Sequence, residues 1–506
     1  MKRYLGPALI ALISACIGNA PPPIPLKPVR FLVINDVYVA DTTPEGQGGL
    51  ARVATVRNRL ADTGPILFVL AGDVLSPSLG SKYFQGRQMI AALNAAKLDY
   101  ATFGNHEFDF EADTLVARIR ESKFKWISSN CTKADGTAFP GVLSWDTLRV
   151  SGHKVGLFGL TLQERYPAYV RCANPDTVAH RMIQALADEG ADLIVGLTHQ
   201  TMAADRELLG QEPKLDLILG GHDHIALDSA VTNRHVVKAD ANARSAQFVT
   251  VWGGKNEWRQ ATGLVRIDAS LPADTLTGRV VQVWEDSLRQ RLGPVHQVGS
   301  TSVTIEASGT MSRRHESVLG DLVTDAMRAG TGADVALINA GALRLERNIA
   351  PGPITNYELE AALPFADQTR VISFPISGAG VRRLLEHGVA EGILGSGGFL
   401  QVSGLSFTFD PAKPSGSRIA GDIRRESGHV LQAGDTLTLA FGTYSACTGG
   451  DGYSVPEAAK ACMRRNEAPR ALDLLTRYIT DSLKGNIAAP SSSRIIRAGP
   501  RNTNPG

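Results

Sequence analysis

The chain has 506 residues, 43% of them hydrophobic, and its 52 basic side chains nearly cancel its 50 acidic ones, leaving a formal charge of +2. That length and apolar content supply core for more than one domain. The near-neutral balance, with no long basic run, excludes the electrostatic footprint of a nucleic-acid binder, and beyond the first twenty residues no apolar stretch is long enough to span a bilayer.

Met1-Lys2-Arg3 followed by the apolar run from Tyr4 to Gly18 reads as a secretory signal over residues 1–20. Within it Ile13-Ser14-Ala15-Cys16 resembles the bacterial lipobox, which implies a lipid on Cys16; ordinary cleavage after Gly18-Asn19-Ala20 is the alternative. The proline-rich residues 21–29 then form a tether. An exported, periplasmic chain is expected, touching a membrane only through that lipid. Cys131, Cys172, Cys447 and Cys462 remain, an even number that in an exported chain points to two disulfides. Sequence proximity favours Cys447 with Cys462 and leaves Cys131 with Cys172; free thiols are the alternative.

From 30 to 268, short apolar runs alternate with helix-like stretches at 49–60, 87–97 and 176–189, which predicts a layered α/β domain. Five of the runs end in polar clusters: Asn35-Asp36-Val37-Tyr38, Gly72-Asp73, Gly104-Asn105-His106-Glu107-Phe108-Asp109, Thr198-His199 and Gly221-His222-Asp223-His224. Asp, Asn and His are poor strand formers, so their repetition at strand ends points to ligands gathered at one sheet edge. The inventory suits two metal ions. Asp73 is the bridging candidate, Asp36 and His224 would complete one position, and Asn105, His199 and His222 the other, with zinc or manganese expected and iron possible. His106 would face the substrate as charge stabiliser or leaving-group acid, with Asp109 orienting its ring.

Residues 269–300 lack strand signals, carry a helical run near 281–291, and read as a linker. A second α/β domain is expected over 301–487, with helices at 317–329 and 378–389 and strands at 335–338 and 371–374. The tail 488–506 reads as disordered.

Taken in order, these clusters resemble the calcineurin-like metallophosphoesterases and, more narrowly, the two-domain 5'-nucleotidase family. The resemblance implies a β-sandwich metallophosphoesterase domain flanked by helices, then a second α/β domain that binds the nucleoside and part of the phosphate. It assigns that role to Asn339 and Arg344 of Asn339-Ala-Gly-Ala-Leu-Arg344, to Phe365 of Leu363-Pro364-Phe365, to Asp451 of Gly449-Gly450-Asp451-Gly452, and to Arg313 or Arg314. It also implies rotation of the second domain about the 269–300 linker. The activity implied is release of phosphate from nucleoside 5'-monophosphates by a metal-activated hydroxide. Enzymes of the same architecture stand as alternatives: a 2',3'-cyclic nucleotide phosphodiesterase with 3'-nucleotidase activity, a nucleotide-sugar or dinucleotide hydrolase, and a thiosulfohydrolase. An inactive, lipid-anchored nucleotide-binding protein is the alternative of another class.

Two departures stand out. Where the family carries Asp-x-His, this chain has Asp36-Val37-Tyr38, and Tyr38 is either a ligand for ferric iron or a residue at the site's rim. The family's second stacking ring is replaced by Tyr444, with one extra residue before Asp451.

Overall fold

The computed structural model describes residues 27–498 except 44, 165, 255–256, 308, 346–347, 366–368 and 489–492. The signal, Cys16, most of the tether and the end of the tail lie outside the described residues.

The first domain is a sandwich of two sheets. One has seven strands, with Val29–Ile34, Leu67–Ala71, Tyr100–Thr102 and Lys125–Ile127 running parallel at its centre. The other has six, with His153–Thr161, Leu193–His199, Leu217–Gly220 and Arg234–Lys238 parallel. Strand alternation decides which core each residue joins. Phe31 and Val33 face inward with Val69, Val195, Leu197, Leu219 and Val237, whereas Leu32 and Ile34 face the helices Leu50–Asp62 and Arg87–Ala95. Because the central strands of each sheet are parallel, their polar C-terminal ends collect at one edge.

The linker is a docked helix, Thr275–Leu292, longer than the run read from sequence. Asp274 caps it, Val281 buries in the first domain's core, and Trp284 packs its ring 5.0 Å from Phe84.

The second domain is built on a four-stranded sheet in the order Val371–Ser377, Thr436–Gly442, Val335–Asn339, Leu400–Ser403. The helices Val318–Thr331 and Gly378–Leu394 bury their apolar sides in separate cores on its two faces. Two corrections to the expected boundaries follow from pairing. The strand Gln297–Thr301, which a boundary at 301 cuts, pairs with Gly352–Thr355 and Asn486–Ile487. Within the expected disordered tail, Ile495–Arg497 is a strand parallel to Leu405–Phe409. Glu316 accepts hydrogen bonds from the backbone of Arg494 and Ile495, and Asp325 binds the Arg494 guanidinium, so side chains distant in sequence order this segment. The disulfides are Cys131–Cys172 and Cys447–Cys462, as sequence proximity favoured.

Candidate active site

The five polar clusters converge at the shared edge of the two sheets. Asp36, Asp73, His222 and His224 adopt φ values of 52°, 59°, 85° and 63°. Left-handed backbone is unfavourable for non-glycine residues, so its concentration here marks a place where the fold over-determines side-chain direction. Gly72 and Gly104 permit the close approach. A Cβ on Gly72 would lie 2.5 Å from His199 Nδ1, and one on Gly104 would lie 2.1 Å from Asp73 Oδ1.

Asp36, Asp73 and His199 present donor atoms within 4.8 Å of one another, all fully buried. The second atom of each side chain is tied down. His199 Nδ1 donates to the Ala71 carbonyl at 2.8 Å, which leaves Nε2 facing Asp73 Oδ2 at 3.3 Å. Asp36 Oδ2 accepts from Asn35 Nδ2 at 2.7 Å and from His222 N at 2.8 Å, and Asp73 Oδ1 accepts from His106 N at 2.9 Å. Burial, joined by the charge of His199, pushes His222 well below its usual range and keeps its imidazole neutral. Burial opposes ionisation of Asp73, but His199 and His106 outweigh it and hold the carboxyl well below the usual carboxylate range. Asn105 Oδ1 is buried without a hydrogen-bond partner among the described residues. Two carboxylates, a neutral imidazole and an orphaned amide oxygen form a donor set that fits transition-metal cations.

Tyr38 enters this cluster rather than lying at its rim. Its hydroxyl is 3.0 Å from Asp73 Oδ2, 3.3 Å from Asp36 Oδ1 and 2.9 Å from His224 Nε2. Asn242 Oδ1 accepts from the Tyr38 backbone N–H at 3.0 Å and fixes the turn.

Three residues supporting the site escaped the sequence reading. Glu107 accepts from the backbone N–H groups of Asp73, Val74, Leu75 and Gly104 and so ties two ligand loops together. Lys238, fully buried, donates to the carbonyls of Gln200 and Gly221 and to Asp205 and Asp223, joining the His199 loop to the His222 loop. Asn242 is the third. The available signal was a charged or amide residue at the end of an apolar run, which an edge strand or a turn produces equally well.

His106 Nδ1 lies 2.8 Å from Asp109 Oδ2, and its Nε2 lies 2.8 Å from Arg344 Nη2. A guanidinium only donates, so Nε2 accepts and the proton sits on Nδ1, directed at Asp109. Burial disfavours charge on His106, yet Asp109 and Asp73 raise its pKa above the usual histidine value.

The second domain brings Arg344 and Phe365 to this point. The Phe365 ring stacks 6.1 Å from His106, and the Arg344 guanidinium lies 5.7 Å from the Phe365 ring. Asn339 Nδ2 donates to Asp451 Oδ2 at 2.8 Å, fixing the residue whose φ is 52°. Of the two arginine candidates, Arg313 is buried and its charge acts on Tyr38, His222 and Asp451. Arg314 instead lies against Gly395 and reaches the Ile393 carbonyl, so its predicted site role is not supported by its placement. Tyr444 is 45% exposed, with its ring against Gly450. Beside Tyr38 and Arg344, a cavity of about 340 Å³ opens between both domains and the connecting helix.

Two family models match the chain: calcineurin-like phosphoesterase over residues 29–226 and the 5'-nucleotidase C-terminal domain over 297–458. The chain is 26% identical over 468 residues to protein 5NUC of Lutzomyia longipalpis, covering 81% of this chain and 80% of that one. Among solved structures, a 5'-nucleotidase precursor from Thermus thermophilus superposes with a TM-score of 0.82 at 22% identity, covering 94% of this chain and all of that one. The sulfate thiohydrolase SoxB of the same organism superposes at 0.77 with 17% identity, covering 96% of this chain and 99% of that one. Likenesses at these identities establish the shared two-domain fold.

Proposed function

Because the chain belongs to the family that joins a calcineurin-like phosphoesterase domain to a 5'-nucleotidase C-terminal domain, and is therefore a metal-dependent phosphoester hydrolase, we propose that it releases phosphate from nucleoside 5'-monophosphates outside the cytoplasm. One observation carries the reading: Arg344 of the second domain meets His106 of the first at 2.8 Å. A residue suited to grip phosphate thus lies against one suited to phosphoryl chemistry, in a single cleft.

Asp36, Asp73 and His224 would hold one metal ion, and Asn105, His199 and His222 would complete the other around the shared Asp73. When bound, the cations would supply charge relief for the phosphoryl oxygens and a lowered pKa for the attacking water. The chain's own residues do the rest. An entering phosphate takes the Arg344 guanidinium, with Arg313 as the second cation, and so frees His106 Nε2. Asp109 holds the Nδ1 proton, which keeps the imidazole oriented with Nε2 toward the phosphoryl group and able to carry charge. Phe365 offers a stacking face for a base, and Asp451, held by Asn339, offers acceptors for ribose hydroxyls. Both disulfides are of the kind that persists in an oxidising compartment, which supports export. Among the described residues no helix is long and apolar enough to cross a membrane.

Phosphate release from AMP, 3'-AMP, 2',3'-cyclic AMP and UDP-glucose, measured side by side with the metal-loaded protein, tests the proposal. The highest kcat/KM is expected with AMP. Preference for the cyclic or 3' substrates, or for the sugar nucleotide, would move the chain to one of the alternative activities.

A further inference from the structure

The Tyr38 hydroxyl has more acceptors around it than a neutral phenol can serve. It carries one hydrogen, so it can donate to one of Asp73 Oδ2 (3.0 Å) and Asp36 Oδ1 (3.3 Å), and it faces the other lone pair to lone pair. Its third neighbour is His224 Nε2 at 2.9 Å, and that nitrogen is itself 3.4 Å from Asp36 Oδ1. Buried and backbone-anchored, the ring is not placed to swing into solvent.

These separations have a second meaning. Donor atoms about 2.0 to 2.2 Å from a common cation stand about 2.8 to 3.6 Å apart in octahedral or tetrahedral arrangements. Each of the four measured distances, 2.9, 3.0, 3.3 and 3.4 Å, lies in that interval. The phenol oxygen therefore stands at ligand-to-ligand spacing from Asp36, Asp73 and His224 in turn, and His224 stands at that spacing from Asp36. Donor charge also differs between the two metal positions. Asp36, Asp73 and a phenolate would place three negative donors with His224 around one ion, whereas Asn105, with His199 and His222 as the neutral imidazoles a metal would require, would add only the shared Asp73. A phenolate is a hard anionic donor, and three anionic donors match the charge of a trivalent cation, while the amide and imidazole set matches a divalent one.

We propose that Tyr38 is a protein ligand of the first metal position and makes that position selective for ferric iron, paired with a divalent ion at the second. The proposal rests on the two-metal reading of the site, and the experiment separates the two.

Full-length protein is stripped with a chelator, then reloaded with ferric iron alone, zinc alone, or both in sequence, and followed by visible absorption and elemental analysis. Ferric loading is expected to produce a phenolate-to-iron charge-transfer band, absent with zinc, and one iron plus one zinc when both are supplied. Tyr38→Phe should bind metal without the band. Tyr38→His, which supplies a neutral nitrogen donor, should shift the first position toward zinc and also remain colourless. Iron uptake without a band, a band that survives in both variants, or two zinc ions bound with iron excluded would each overturn the assignment of Tyr38 while leaving the hydrolase intact. Failure to bind any metal would remove both readings. Should Tyr38→Phe not fold, the wild-type spectrum together with Tyr38→His still decides.

Discussion

The two halves of the site are built to different standards of rigidity. In the first domain, Asp36, Asp73, His199 and His224 are all nearly inaccessible, three of the four have left-handed backbone, and second atoms of the carboxylates and of His199 are anchored to backbone groups of neighbouring segments. In the second, the candidate contacts are spread over a strand end, short helical turns and loops. Arg344 and Phe365 are partly exposed, Tyr444 is largely so, and Asn339 and Asp451 steady each other. The contrast follows from the tasks. Holding cations needs atoms fixed to a few tenths of an ångström before substrate arrives, while gripping a nucleotide can be completed by the nucleotide itself.

If that division is right, removing one residue from each side of the His106–Arg344 contact should damage different constants. His106→Ala is expected to lower kcat by about 10²- to 10⁴-fold while metal content and KM stay close to wild type. Arg344→Ala should act mainly on KM, because losing a charge-assisted hydrogen bond costs about 1.5 to 3 kcal/mol, or about 10- to 150-fold in kcat/KM. Steady-state kinetics with AMP and elemental analysis of both variants check this. A loss of metal in His106→Ala proportional to its loss of turnover would erase the distinction.

A smaller effect is expected from Lys238, which tests whether first-domain rigidity depends on groups behind the ligands. Its ammonium serves Gln200 O at 2.6 Å, Gly221 O at 2.8 Å, Asp223 at 2.7 Å and Asp205 at 2.8 Å. Lys238→Met should weaken metal affinity by about 10- to 100-fold, the range seen when groups orienting metal ligands are lost. Turnover should recover as metal is added in excess. Unchanged affinity in competition with a chromogenic chelator would show that the loops carrying His199 and His222 hold their own geometry.

Much of the first-domain site could be read from sequence because parallel strands buried on both faces must be continuous apolar runs, so a polar cluster ending each one is conspicuous. The ligands announced themselves in this way, and so did the departure at Tyr38. What could not be read were pairings between distant residues. Lys238 ends the run His235-Val-Val-Lys238 like any charged strand end, and its partners lie in three other segments. Arg313 and Arg314 are adjacent in a turn, and only the turn's direction separates them. The strand Ile495–Arg497 is too short to show a period, and it is held by Glu316 and Asp325 from across the second domain. The linker's docking on the first domain likewise depended on a surface that its own sequence does not contain.

The two domains also differ in how well each compensates the carboxylates it buries. Glu107 in the first receives hydrogen bonds from four backbone N–H groups, and burial together with Asp73 still lifts its pKa to about 7. Among the described residues neither oxygen of Asp321 in the second domain is met by a donor from the backbone, its carboxyl neighbours the Glu316 carboxyl, and Arg494 comes no nearer than 3.5 Å. Burial raises its pKa to about 8; Arg494 opposes the shift, and Glu316 and Asp325 add to it. The folded state therefore holds this proton more tightly than the unfolded chain, whose Asp titrates near 3.9. The contribution to stability is fully present below about pH 4 and is lost as pH rises toward about 8. Asn mimics the protonated acid at every pH. Asp321→Asn should accordingly melt close to wild type near pH 4, gain on it steadily through neutrality, and keep a constant lead above about pH 8. Thermal melts of both proteins across that range decide the point. A difference in Tm that does not change with pH would mean that Arg494 compensates Asp321 as fully as the backbone compensates Glu107, and the two domains would then be alike in this respect.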